Sequence, residues 1–393
     1  MMIPERPSLE RRVLTALEGA ASGGPRIPVV LGGCGTGRTS LLLRVRDLLG
    51  RNACQYIDVE RVATTPERFL KSVRDHSPFP PLPHASGGHE AGARDAFDAT
   101  LAFFDTTRGN GGAPATFLLD EFLELRTFES FPGLRTVLKD LLGALSASGN
   151  RFVLTSRYTA RVLRLLRDAP SAFEVIHATP LSAAEVRATL PTRGEVGAGD
   201  RLEDDRAQDE LARLVQALSD GRPGYARLIA DTASAMSPRS APDPVSALSA
   251  LLARDGQLDR ACRFSYELRL HRARGYGALK AILSVLAEEE ALTLTEIALR
   301  LGRTPGSTKD YLSWLEDVDL ITSRQKRYSY SDPLMRLWVR LHGRPVPPSD
   351  DDLAHEVHAY VIGRLPAAES PLELATATQD VDRDKSWGII EID

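Results

Sequence analysis

The sequence is poor in cysteine. Its 393 residues hold three, Cys34, Cys54 and Cys262. They form no CxxC pair and no metal-ligand spacing, which excludes a disulfide framework. A sparse, odd set suits a reducing cytosol, so a cytoplasmic protein is expected. Long apolar runs are missing too. No stretch approaches the roughly 18 apolar residues a membrane-spanning helix needs, and residues 1–12 carry no apolar core of a secretory signal. A charge excess is also absent. The 49 basic residues stand against 53 acidic ones, which argues against a chain that coats nucleic acid along its whole surface but leaves a local basic patch open. What remains is an ordinary soluble composition, long enough for two or three domains at about 100–200 residues each.

Punctuation by glycine and proline divides the chain. Residues 25–31 read as a short buried strand that runs into a glycine cluster. Ser40 to Leu49 has helical spacing and stops at Gly50. Further strands are expected at Cys54–Val59, Phe117–Leu119, Phe152–Thr155 and Glu174–His177, with helices at Asp95–Asp105, Leu134–Leu145 and Val162–Leu166. Strands alternating with helices predict an α/β fold, a parallel sheet with helices on both faces. Residues 77–92 and 108–114 read as surface loops. From about Leu181 the strands stop. Ser182 to Glu185 is a capping box, residues 194–206 read as a polar loop, and two or three helices follow to about Asp255. The last 49 residues hold 11 acids and 3 bases and read as an acidic appendage, apolar at Tyr360–Leu365 and Trp387–Ile392, either docked or disordered.

The chemistry concentrates at Gly32-Gly33-Cys34-Gly35-Thr36-Gly37-Arg38-Thr39-Ser40. This matches G-x4-G-K-[ST] except that Arg38 stands where lysine is usual. Phosphate oxygens need successive backbone N–H groups within reach, glycines allow so tight a wrap, and the following helix adds its positive end. Arg38 supplies a cation for the terminal phosphates, and Thr39 a hydroxyl for Mg²⁺. Downstream, the apolar run Thr116 to Leu119 ends in Asp120-Glu121. Two carboxylates at the carboxyl edge of a parallel sheet lie beside such a loop. Asp120 then supports the metal, and Glu121 orients and deprotonates the attacking water. A third strand ends in Thr155-Ser156-Arg157, groups suited to reading a γ-phosphate, with Arg157 placed to stabilise transition-state charge. The bend Gly221-Arg222-Pro223-Gly224 can press backbone and proline against a nucleotide.

Together these four motifs resemble the STAND branch of AAA-type P-loop ATPases, which carries a strand ending Asp-Glu, a strand ending Thr-Ser-Arg and a Gly-x-Pro lid motif. The resemblance covers residues 10–343 and is similar to the archaeal-type ATPase group, more loosely to origin-recognition ATPases. It implies a P-loop NTPase domain over 1–180, a helical lid over 181–260 and a winged-helix domain over 261–343, and the acidic tail from 344 to 393 lies beyond it. It also implies ATP with Mg²⁺ as cofactors and a switch between ATP- and ADP-bound packings. The departure at Arg38, a planar fork rather than a point charge, leaves binding in place and puts fast hydrolysis in doubt.

In the third unit, Thr295 to Leu301, Gly302 and Pro305 to Leu315 form a helix-turn-helix pattern, with wing strands near Leu320-Ile321 and Tyr328–Tyr330. In a DNA-binding reading Ser307, Thr308 and Lys309 enter the major groove, and Arg303, Arg324, Lys326 and Arg327 meet phosphates. Asp310, Glu316, Asp317 and Asp319 weigh against that face. Three functions stay open: a slowly hydrolysing ATP switch, a duplex-DNA-binding regulator gated by nucleotide, and a protein-interaction scaffold with bound nucleotide, whose partner meets the lid, the winged helix or the acidic tail.

Overall fold

Apolar runs that alternate with amphipathic ones leave a sheet no water-facing side, and the chain obeys that rule. The computed structural model describes residues 6–19, 26–80, 92–190, 201–237, 240–271, 275–344 and 346–365. Strands β1 (Ile27–Leu31), β2 (Cys54–Asp58), β3 (Thr116–Asp120), β4 (Arg151–Ser156) and β5 (Phe173–His177) form one sheet in the order β2-β3-β4-β1-β5. All four pairings are parallel. Every residue of β1 and β3 is buried, as strands covered on both faces require.

Alternation along the strands sends side chains to two cores. Val30, Leu118, Val153 and Ile176 face helices α1 (Pro7–Glu18) and α2 (Arg38–Leu49), which contribute Val13, Leu17, Leu42 and Val45. Val29, Leu31, Phe117, Leu119, Phe152 and Leu154 face the other way. That face is covered by α3 (Val59–Val62), α4 (Pro66–Asp75), α5 (Ala93–Thr106), α6 (Val137–Ala147) and α7 (Thr159–Leu166). Phe117 stacks on Phe152 at 5.5 Å and takes the edge of Phe104 at 5.0 Å, contacts that contribute about 0.5–1.5 kcal/mol each beyond area burial. The helix expected from 134 starts at Val137, because 122–130 winds as a 3₁₀ helix that Phe122, Leu125 and Phe128 anchor in the core.

The strands stop where the sequence says they should. Helix α8 (Ala183–Thr189) carries the Ser182–Glu185 capping box. Helix α9 (Arg201–Ser219) begins inside the segment read as a polar loop over 194–206. The reason is charge pairing: Arg187 reaches Asp205 and Asp209 at 2.7 and 2.6 Å, so a charged stretch continues the helix instead of fraying. The remainder of that expected loop, like most of the one at 77–92, lies outside the described residues. Helices α10 (Pro223–Met236), α11 (Pro244–Leu252) and α12 (Gln257–His271) follow. Helix α12 runs through position 260, where the sequence reading divides two units, so a continuous helix joins them.

The next elements are α13 (Tyr276–Glu288), β6 (Leu292–Thr293), α14 (Leu294–Arg300), α15 (Pro305–Asp317), β7 (Ile321–Arg324), β8 (Arg327–Tyr330) and α16 (Pro333–His342). The three strands form an antiparallel sheet in the order β6-β8-β7. Helix α16 buries Leu334, Leu337 and Trp338 as expected. The first part of the appendage expected from 344 takes the docked alternative. Residues Asp350–Ile362 form α17, which buries Leu353, Val357 and Val361 on α11 and α16. Tyr360 donates to the Leu218 carbonyl at 2.9 Å and Arg364 meets Asp220 at 2.7 Å. Net charge concealed the i, i+4, i+8 stripe. The acidic remainder lies outside the described residues, among which no helix is long and apolar enough to cross a membrane.

Candidate nucleotide site

The glycine loop leaves β1 at the carboxyl edge of the sheet, where β1 lies between β4 and β5, and ends at the first residue of α2. Gly35 and Gly37 have φ of +77° and +83°, a left-handed backbone that favours glycine. Gly37 also admits a close neighbour, since a Cβ there would lie 3.3 Å from the Pro223 ring. The loop amides and the N-terminus of α2 therefore lie beside the ends of β3 and β4. Gly32 donates its N–H to the Ser156 carbonyl at 3.4 Å, and Thr36 bonds the Gly33 carbonyl through its hydroxyl at 2.8 Å. Cys34 is half-buried, and Ser40 sits half-buried in the first turn of α2.

The acids converge as the register dictates. Thr39 donates its hydroxyl to Asp120 Oδ2 at 2.7 Å, and Tyr56 donates to the same oxygen at 2.9 Å. Thr155 donates to Asp120 Oδ1 and accepts the Glu121 N–H at 3.0 Å. A carboxylate and a hydroxyl so placed are the hard oxygen donors that suit Mg²⁺, which takes few protein ligands and keeps water and phosphate oxygens for the rest. Sequence reasoning missed Tyr56, whose only signal is its place on the strand beside β3. Thr155 and Ser156 are fully buried. The Thr155 hydroxyl orders the two acids, and the Ser156 hydroxyl accepts the Tyr158 N–H at 3.1 Å.

Glu121 is buried in a left-handed conformation at φ +54°. Its carboxylate meets Arg38 at 2.6 Å and Arg157 Nε at 3.2 Å, and accepts the Arg157 N–H at 3.0 Å. Burial pushes the Glu121 carboxyl up, but Arg38, Arg157 and that N–H outweigh it and hold the group below its usual range. Burial lowers the Arg157 guanidinium, and Glu121 and Glu60 raise it further in the other direction, so it stays charged. Arg38 is turned into the loop, where it also bonds the Gly32 and Gly33 carbonyls and Thr36 Oγ1. In this arrangement the candidate base is ion-paired twice and the candidate phosphate cation is engaged by the protein.

Two further elements close on the loop. Gly221 has φ +62°, and a Cβ on it would strike the Leu181 carbonyl at 2.6 Å. This bend starts α10 against the loop. Gly224 donates to the Gly35 carbonyl at 3.2 Å, and Arg222 donates to the Cys34 carbonyl at 2.7 Å and the Ser331 carbonyl at 2.5 Å. Asp332 takes Arg222 at 3.3 Å and the Tyr225 hydroxyl at 2.8 Å. From α12, Arg269 bonds the Asp319 carbonyl at 2.8 Å and Cys34 Sγ at 2.6 Å. In the sequence Arg222 stands out only as part of the Gly221–Gly224 bend, and nothing marks Arg269. Asp319 reads there only as an acid against a DNA face. All three lie far from the loop in sequence.

The helix-turn-helix residues divide. Ser307, Lys309, Arg303, Arg324, Lys326 and Arg327 are exposed. Thr308, expected to enter a groove, is fully buried and its hydroxyl bonds the Thr304 carbonyl at 3.0 Å. One turn into α15, its position faces the core rather than solvent.

No protein-family model and no curated protein sequence matches the chain. Among solved structures it is similar to a Walker-type ATPase of Pyrococcus abyssi, 17% identical at a TM-score of 0.59, with 86% of this chain and 96% of that one covered. Looser likenesses are the ORC1 protein of Aeropyrum pernix in complex with DNA (15% identical, TM-score 0.44, 93% and 95% covered) and a STAND protein with a tetratricopeptide repeat sensor from Pyrococcus horikoshii (16% identical, TM-score 0.33, 98% and 49% covered). The first likeness establishes the fold, that of a P-loop ATPase, and the other two add no argument about what the chain does.

Proposed function

Starting from a P-loop ATPase fold, we propose that this protein binds ATP with Mg²⁺ at Gly32–Ser40 and acts as a slowly hydrolysing regulatory switch. The observation that carries the reading is that the phosphate loop is held from two sides, by the α10 bend through Arg222 and Gly224 and by α12 through Arg269, while Arg222 also bonds the Ser331 carbonyl and Asp319 lies beside Gly33. A ligand in the loop acts on both contacts at once, and that is what couples occupancy to packing. Thr39 and Asp120 hold the metal, which supplies charge neutralisation at the phosphates when bound. Glu121 is the base for the attacking water and Arg157 the cation at the γ-phosphate. Both must leave their present ion pairs to act, which supports slow turnover. The test is phosphate release from ATP by the full chain and by an Asp120→Asn, Glu121→Gln double variant. Loss of turnover in the variant supports the assignment, and equal turnover in both proteins overturns it.

A second reading, DNA contact through 261–343 as a winged helix, has one specific observation in its favour. The wing tip Arg324–Arg327 is exposed, and Gln325 and Lys326 occupy left-handed φ of +51° and +64°. These two residues are the tight turn that joins β7 to β8, and the turn presents Arg324, Lys326 and Arg327 to solvent, cations suited to phosphates.

A further inference from the structure

We propose that the Asp319 carboxylate is an internal competitor for the phosphate loop: it holds the 276–342 unit against the loop in the place of a nucleotide phosphate, and an entering polyphosphate displaces it. This inference rests on the nucleotide reading and adds the regulation of that site.

The geometry comes first. Asp319 follows α15 at φ +56°, with its N–H on the Glu316 carbonyl at 3.0 Å and the Leu320 N–H on the Leu315 carbonyl at 3.0 Å. That left-handed position at a helix end is most often filled by glycine. Here it carries a carboxylate whose Oδ2 lies so near the loop that a Cβ on Gly33 would sit 3.1 Å from it. A phosphate drawn to the same glycine amides needs that space.

The charges fit the same account. The charges of Arg269, Arg222 and Arg38 favour the ionised form of the Asp319 carboxylate, and Arg222 and Arg269 are themselves bonded to Cys34 of the loop. Guanidinium charge and a glycine loop beside one anion are the parts of a phosphate site. The contact is nonetheless costly. Burial pushes the Asp319 carboxyl up to about 6 against all three arginines, and Asp332 adds to that rise. A single carboxylate held at a cost gives way to a ligand carrying several negative charges. The 276–342 unit has other holds on the core, an ion pair of Asp317 with Arg164 and a longer contact with Arg161 at 3.8 Å. Release of Asp319 therefore loosens the unit at the loop without detaching it.

The test compares the full chain with Asp319→Asn, which removes charge at constant shape, and Asp319→Gly, which also suits the left-handed backbone and so guards against misfolding. Binding of Mg·ATP and of pyrophosphate alone is measured by calorimetry. A latch that keeps about nine molecules in ten closed lowers apparent affinity about tenfold. Both variants are therefore expected to bind both ligands about tenfold more tightly than the parent. In the parent, ATP is expected to raise amide hydrogen exchange over 315–322. Equal or weaker binding by the variants, or exchange over 315–322 that ATP leaves unchanged, overturns the latch while leaving the nucleotide reading intact. No binding by any of the three proteins overturns the nucleotide reading and the latch with it.

Discussion

Arg38 and Glu121 face each other at 2.6 Å, both buried. The first stands where a phosphate loop usually has lysine, and the second ends the strand that carries the acids. The planar guanidinium spans Glu121 and the Gly32 and Gly33 carbonyls through two separate nitrogens, a fork that the point charge of an ammonium does not reproduce. The departure from the usual motif and the restrained base are thus one feature.

Arg38→Lys is therefore expected to free Glu121 and raise ATP turnover, measured by phosphate release. Arg38→Ala leaves a buried carboxylate with one fewer partner. It should cost about 3 kcal/mol of stability in urea unfolding, the usual cost of breaking a buried pair. A fall in turnover for Arg38→Lys would show that the arginine serves the reaction rather than restrains it.

Asn150 is a purely structural prediction. Its side chain accepts the Ala115 N–H at 2.9 Å and donates to the Phe104 and Thr107 carbonyls at 2.7 and 2.8 Å. Asn150→Ala leaves the Ala115 N–H and the Phe104 carbonyl without this partner, while the Thr107 carbonyl keeps Arg108 at 2.8 Å. A loss of about 2–6 kcal/mol is expected, at about 1–3 kcal/mol for each of the two groups left unsatisfied, measured by denaturant unfolding.

Asp319 sets a pH dependence. Burial, opposed by Arg269, Arg222 and Arg38 and assisted by Asp332, raises it from 3.8 to about 6. Between those values the folded chain holds a proton that the unfolded chain has released. Its contribution to stability is full below 3.8, falls as pH rises through the window, and is gone above about 6. Glu121, held below its ordinary 4.5, acts with the opposite sign, so the comparison must be between proteins. The parent should lose more stability than Asp319→Asn between pH 4 and pH 6, followed as melting temperature. Parallel curves would contradict the assignment.

Duplex binding, in the second reading, depends on the wing. Lys326→Ala with Arg327→Ala should weaken it and flatten its salt dependence, because each lost phosphate contact removes released counterions. Titration of a labelled duplex at two salt concentrations, with and without ATP, measures this. No binding by the parent at low salt removes the reading.

The sheet was legible because its strands are apolar runs bounded by glycine, proline and charge, and their ends then fell at one edge. Asp120, Glu121 and Arg157 came with them, since a strand end is a local feature. What stayed hidden depends on distant packing. Asp319 reaches Gly33 across nearly three hundred residues, and nothing near it in sequence marks a partner. Arg269 reads as the outer face of a helix until the loop is beside it. Thr308 looked like a groove residue because composition does not say which way a helix turns. Helix α17 was concealed by its acids, three of which lie in its first turn, where the helix dipole favours them.

The most direct measurement is calorimetric titration of the full chain with ATP, ADP and GTP in Mg²⁺, beside a Thr39→Ala, Asp120→Asn variant, with melting curves on the same samples. A ligand that binds the native state at a hundred times its Kd adds about 2.7 kcal/mol to apparent stability. Saturable ATP binding by the parent, a raised melting temperature, and loss of the Mg²⁺-dependent part in the variant are the predicted results. A parent protein whose heat and melting temperature do not respond to any of the three nucleotides would contradict the account.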